Sequence, residues 1–389
     1  MERRTFLRAA ALGTGAVAFG GSLWRGAASA APAQPGPSPY GALLAPDANG
    51  VRLPAGFSSR VVARSSRLVG RSGYLWHPAP DGGACFGDGS GWIYVSNSEI
   101  PLVGGVSAIR FAADGSISDA YRTLSGTSRN CAGGATPWCS WLSCEELPYG
   151  RVFETDPQGR AKARARPAMG RFTHEAAACD PVRRVVYLTE DEPDGCFYRF
   201  APAVWRDLSA GALHVLCAPA DLVTGPVTWR RVPNPAGGPA GTRNQVPEAK
   251  RFDGGEGCFS RDGKVWFTTK GDNRVWVYDG RTGVLDVAYD DSTVTGGSAP
   301  LTGVDNITGA ASGDLFVAED GGDMQICMIT PTGVVTPFLQ VVGHDSSEIT
   351  GPAFSPDGRR LYFSSQRGRS GSSFGGVTFE VTGPFRGAG

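Results

Sequence analysis

One unit recurs along the chain: an apolar strand, an Asp-Gly type turn, a second strand and then a polar stop. A period of about 40 to 50 residues built from strand hairpins is the mark of a propeller. The second strands line up as Trp92 to Glu99, Trp141 to Glu146, Val185 to Asp191, Val265 to Lys270, Leu315 to Asp320 and Leu361 to Gln366. Six such units predict an all-β, six-bladed β-propeller. The stretch Phe57 to Ala63, FSSRVVA, stands ahead of the first unit and is expected to supply the outer strand of the last blade. Such closure removes an exposed sheet edge, which is otherwise a pairing hazard.

Composition supports short strands and many turns, since Gly (56) and Pro (28) are abundant while helix-forming runs are nearly absent. Lys plus Arg and Asp plus Glu both number 37, so no basic field favours nucleic acid. Residues 1–30 read as a twin-arginine signal: Arg3-Arg4 ahead of a moderately apolar run, then the small-residue site Ala28-Ser29-Ala30. Cleavage after Ala30 is expected, followed by a Pro-rich linker over residues 31–50 and a single propeller over 51–389. No later stretch approaches the roughly 20 apolar residues that a membrane span requires. The mature protein is therefore expected to be a soluble monomer in the periplasm or outside the cell. Its nine cysteines match no small disulfide scaffold, and their odd number leaves at least one unpaired.

Just ahead of the first strand of each unit stand Asp81, Cys131, His174-Glu175, Glu256, Asp305-Asn306 and Glu348. The distance from Cys131 to Glu145 is 14, from Glu175 to Glu190 it is 15, and from Asp305 to Glu319 it is 14. An antiparallel hairpin returns to its starting end, so the group that opens the first strand and the group that closes the second are neighbours. Around a propeller axis they form a ring at one mouth of the channel: Asp81, Glu99, Cys131, Glu145, Glu146, His174, Glu175, Glu190, Asp191, Glu256, Asp305, Glu319, Asp320 and Glu348. About a third are expected to point into water. Converging carboxylates repel unless cations lie between them. Oxygen-rich sites suit calcium, and one thiolate and one imidazole in the same ring admit a transition metal as well. His174 could ligate or could orient Glu175. The remaining histidines show no ligand pattern, and Cys85, Cys179 and Cys258 read as core packing.

Several motifs, in order, carry a family resemblance: NCAGGATPWCSWLSCEE (Asn130 to Glu146), GRFTHEAA (Gly170 to Ala177), YLTEDEPDGCFYRF (Tyr187 to Phe200), GGEGCF, FTTKGDNRVWVYD, DNITGAASGDLFVAED and EITGPAFSPDGRRLYFSSQRG. Together they resemble the PhoX-type alkaline phosphatases. The resemblance implies a six-bladed propeller, twin-arginine export and hydrolysis of small-molecule phosphate monoesters at a site holding iron (Fe3+) and calcium. Carried over by position, the implied metal ligands are Cys131, Glu145 or Glu146, Glu175, Glu190 or Asp191, Glu256, Glu319 or Asp320, and Glu348, with Asp305 added from the ring. Glu175 and Lys270 are the residues expected to carry catalysis, Lys270 because it puts an ammonium where three other units place acids. Arg171, Arg251, Arg274 and Arg367 are further cations near the mouth. No P-loop offers a phosphate cradle. Two alternatives stand beside this expectation. One is a non-catalytic calcium-binding propeller, and the other is a calcium-dependent lactonase-type hydrolase, which needs far fewer acids.

Overall fold

A computed structural model describes residues 31–239 and 241–388; the expected signal, residues 1–30, lies outside the described residues. Six antiparallel sheets follow one another along the chain as the blades of a propeller. Their inner strands are Pro80–Asp88, Asn130–Ala135, His174–Asp180, Gly255–Arg261, Val304–Gly309 and Ile349–Phe354, which open blades 1 to 6. The second strands are Gly91–Ser98, Trp141–Glu145, Val185–Glu190, Lys264–Thr269, Leu315–Glu319 and Arg360–Ser365. Each agrees with the sequence alignment to within a residue at either end. No described helix is long and apolar enough to cross a membrane.

The ring closes as expected. Ser58–Arg64 pairs antiparallel with Val377–Thr382 as the outer strand of blade 6, with Arg64 opposite Val377 and Val61 opposite Phe379. A charged latch fastens this seam, because the buried Glu380 carboxylate receives Arg60 and Arg360, each at 2.8 Å, and the Tyr362 hydroxyl. The Pro-rich stretch expected as a linker is strapped to the fold instead of lying free of it. Gln34–Pro35 runs parallel to Val334–Val335 and Val51–Arg52 pairs with Gln340–Val341, so both cover the outer edge of blade 5. Ala33 is buried, and its N–H donates to the Ala288 carbonyl of blade 4 at 2.8 Å.

Between blades the sheets bury aromatic side chains against each other, for example Tyr94 on Tyr362 at 5.0 Å and Phe197 on Phe267 at 4.0 Å. Each large apolar side chain fully buried in this way contributes about 1.5 to 3 kcal/mol. A second set of contacts fixes the backbone around the axis. The Asn97 amide donates to the carbonyls of Cys131 (3.0 Å) and Ala132 (2.7 Å) in the next blade. The hydroxyls of Thr189, Thr268 and Thr350 donate to the carbonyls of Glu256, Asp305 and Pro80, respectively, at 2.5, 2.5 and 2.9 Å. The Asn306 side chain accepts from Gly351 N–H at 2.6 Å. Apart from the one at Gly351, these latches hold the backbone at, or one residue from, the groups singled out for the ring.

Candidate metal centre at the channel mouth

All six inner strands depart from regular pairing at the same place. Pro80, Asn130, His174, Gly255, Val304 and Ile349 each face the end of the second strand, and in every blade the register then slips within the next few residues. A bulge of this kind bends the strand and re-aims a side chain. The residue that follows the pairing is Asp81, Cys131, Glu175, Glu256 and Asp305 in blades 1 to 5, whereas in blade 6 Thr350 still pairs with Ser364 and the slip comes after it. Blade 6 thus differs from the sequence alignment, since Glu348 comes from the preceding loop and not from the bulge. The strands approach too closely for side chains just beyond. A Cβ on Gly82 would lie 2.5 Å from Ala132 Cα, and one on Gly351 (φ 59°) 2.7 Å from the Asp81 carbonyl oxygen.

The closing ends of the second strands separate into two sets. Glu145 accepts from the backbone N–H groups of Ser128 and Arg151, each at 3.2 Å, and from the Arg151 guanidinium. Glu190 accepts from Cys196 N–H (3.0 Å), Tyr198 OH (2.8 Å) and Arg243, and Glu319 from the N–H groups of Thr302 and Gln325, both at 3.0 Å. These three carboxylates, expected as metal ligands, are spent on loop amides and join none of the ligand clusters. Side chains alternate along a strand, so the following position turns to the mouth instead. It holds Glu99, Glu146, Asp191, Lys270, Asp320 and Gln366.

Three overlapping groups bring ligand atoms within 4.8 Å of one another: Asp81, Glu99 and Cys131; Cys131, Glu146 and Glu175; and Glu175, Glu256 and Asp305. Cys131 and Glu175 are shared members, and the Cys131 thiol lies 3.2 Å from Glu175 Oε1 and 3.7 Å from Asp81 Oδ2. Burial and the neighbouring acids push Asp81, Glu175 and Asp305 well above the usual carboxylate range. The same two causes raise Glu146 to about 9, and Glu256 to about 8 in spite of Lys270. Burial and the Asp320 carboxyl raise Glu348 to about 8. Burial, then Asp81 and Glu175, lift the Cys131 thiol as well. Glu175 Oε2 is buried without a hydrogen-bond partner. A shared cation answers all of these features at once.

Positive groups cap parts of the ring. Lys270 Nζ lies 2.6 Å from Glu256 and 2.8 Å from Asp191; burial pulls its pKa down, but these two carboxylates outweigh that and keep it charged. Its side chain is 41% exposed, so it faces the opening. Arg367 reaches Glu348 at 2.9 Å and Gln366 at 2.7 Å. Arg171, Arg251 and Arg274 have partners away from the clusters: the Tyr149 carbonyl, the Asp194 carbonyl with Cys196, and Asp290 with Asp272. His174 stands beside Glu175 in sequence only. Its Nε2 pairs with the Gly170 carbonyl, its ring packs at a tilt against Phe172, and burial lowers its pKa to about 3.

All nine cysteines are unpaired. Cys85, Cys179 and Cys258 line a cavity of about 330 Å³ among the later residues of the inner strands, beyond the bulges. Sequence reasoning passed over Gln366, whose neutral side chain carried no metal signal, although its place in the alignment beside Glu99 and Glu146 marked it.

A family model described as alkaline phosphatase PhoX matches residues 96–148, 147–284 and 275–368. No curated protein sequence matches the chain. Among solved structures, Pseudomonas fluorescens PhoX in complex with vanadate, a transition state analogue, superposes with a TM-score of 0.71 at 18% identity, over 92% of this chain and 99% of that one. A protein of unknown function from Bacteroides thetaiotaomicron reaches 0.52 at 9% identity, over 84% and 76% of the two chains. At such identities the likeness is one of fold. The family match spans most of the chain, including every member of the three ligand groups except Asp81, and on that ground the chain belongs to the alkaline phosphatase PhoX family.

Proposed function

We propose that this protein is an exported, metal-dependent phosphatase that hydrolyses phosphate monoesters at a mixed iron and calcium site in the channel mouth. The observation that carries this reading is the set of three overlapping ligand groups hinged on Cys131 and Glu175. Family membership and the vanadate complex of the Pseudomonas relative support the reaction class. The donor set fits the metals: carboxylate oxygens suit calcium, and a thiolate among them suits iron. Bound cations would supply Lewis-acid polarisation of phosphate oxygens and acidify water to a nucleophile at neutral pH.

The chain's own residues then have separable tasks. Asp81, Glu99, Glu146, Glu256 and Asp305 would hold cations, with Cys131 and Glu175 between neighbouring positions. Asp191, Asp320 and Glu348 extend the negative rim. Lys270 holds Glu256 and Asp191 and keeps its third N–H donor for the opening, where a phosphate oxygen is a stronger acceptor for an ammonium than a neutral group is. The test is turnover of p-nitrophenyl phosphate by protein exported through its own signal. Activity abolished by chelator and restored by iron with calcium is expected; turnover that survives complete metal removal would refute the reading.

A further inference from the structure

Gln366 is 2% exposed and joins two blades. Its Nε2 donates to Asp81 Oδ2 at 2.6 Å and to Glu99 Oε2 at 2.8 Å, both on blade 1, so both amide hydrogens are used. Its Oε1 accepts from Arg367 Nη1 at 2.7 Å, and Arg367 also binds Glu348 at 2.9 Å. A guanidinium has donors only, which fixes the amide with its nitrogen toward the two carboxylates. Asp81 and Glu99 form one of the three ligand groups with Cys131. The chain of contacts crosses from blade 6 to blade 1, beside the seam closed by Ser58–Arg64.

We propose that Gln366 is a positioning residue that sets Asp81 and Glu99 as a paired donor set for a cation beside Cys131. The inference rests on the metal-site reading above. Two carboxylates drawn together repel each other, and one amide that donates to both offsets the repulsion. It also occupies one oxygen of each. Groups that orient metal ligands in this way typically contribute 10- to 100-fold to affinity.

The experiment titrates chelator-stripped protein with Co2+ and follows the thiolate-to-cobalt absorption band, with Cys131→Ser as the control that removes it. Gln366→Glu keeps the shape and loses the donor, and Gln366→Leu loses both polar ends. Circular dichroism and thermal unfolding establish that each variant is folded. Half-formation of the band at about 10- to 100-fold higher Co2+ in the folded variants is expected. Calcium binding measured by calorimetry should be retained at the Glu175, Glu256 and Asp305 group, which Gln366 does not touch. Unchanged cobalt affinity with only a lowered melting temperature would reduce Gln366 to a seam contact and overturn the proposal. Tighter binding by Gln366→Glu would overturn it too, by making this position a ligand. If the wild type forms no band, the metal-site reading itself fails, a result distinct from either.

Discussion

Glu145 and Glu146 are adjacent and chemically identical, yet they belong to different parts of the molecule. The first accepts backbone N–H groups of Ser128 and Arg151 and keeps two loops in place, whereas the second lies with Cys131 and Glu175 in a ligand cluster. Glu190 and Glu319 are likewise held by loop N–H groups, while their neighbours Asp191 and Asp320 face the mouth from outside the three ligand groups. Where the loop-side position is not acidic it still carries a hydroxyl that bonds locally, as Ser98 does to the Pro78 carbonyl and Ser365 to Ser347. One position of each blade therefore builds the rim and the next one equips it. Strand alternation alone produces the division, and the blade repeat multiplies it by six.

Substitutions can break this comparison, and the largest effect is expected at its centre. Glu175 is shared by two ligand groups, so Glu175→Gln should lower kcat for p-nitrophenyl phosphate by about a thousandfold or more, the several kcal/mol that metal polarisation supplies, while the folded state survives. Full retained activity would remove it from the site. Cys131→Ser should cost the iron and spare most of the calcium; an unchanged iron content would make this thiol a small buried residue near the axis.

On the loop side the outcome inverts. Glu319→Gln places an amide NH2 against a backbone N–H and should lower stability by about 1 to 3 kcal/mol with metal content unchanged, as read by denaturant unfolding and metal analysis. Loss of metal there would erase the distinction between the two positions.

Stability against pH sharpens the comparison further. Glu146, Glu256 and Glu348 bind protons more tightly folded than unfolded, with folded values of about 9, 8 and 8. The folded state therefore holds more protons between the ordinary carboxylate range near pH 4 and these values, and stability falls as pH rises through that window. Chelator-stripped protein should show a melting temperature that declines from about pH 5 to pH 9, and calcium should flatten the decline. A metal-free protein equally stable across this range would mean that the acids do not meet. The smallest effect is expected at Cys139, exposed in the turn between the first two strands of blade 2. Cys139→Ser should stay within about 0.5 kcal/mol of the parent and leave metal content alone.

Much of this architecture could be read from the residues. The second-strand alignment located every blade, and FSSRVVA announced the closing strand, because alternation and turn chemistry are local properties. Seven of the fourteen groups expected in the ring come together in the three ligand groups, since a hairpin must return to its start. What could not be read was the direction in which each of two neighbouring acids points. That depends on a bulge in the facing strand and on loop amides such as those of Thr302 and Gln325, which are brought in by the rest of the blade. Glu348 was aligned with the bulge residues for want of the same register, and it stands in the loop ahead of Ile349–Phe354. Gln366 was missed because an amide becomes informative only once two carboxylates from another blade are found on it.

The most direct test is elemental analysis of wild-type protein beside Glu145→Gln and Glu146→Gln, each exported by its own signal and assayed on the same sample. Iron and calcium in the wild type and in Glu145→Gln, with metal lost from Glu146→Gln together with turnover, is the expected result. Equal metal content in all three, or calcium alone with no phosphatase activity, would contradict the assignment of the mouth-facing positions to a catalytic metal centre.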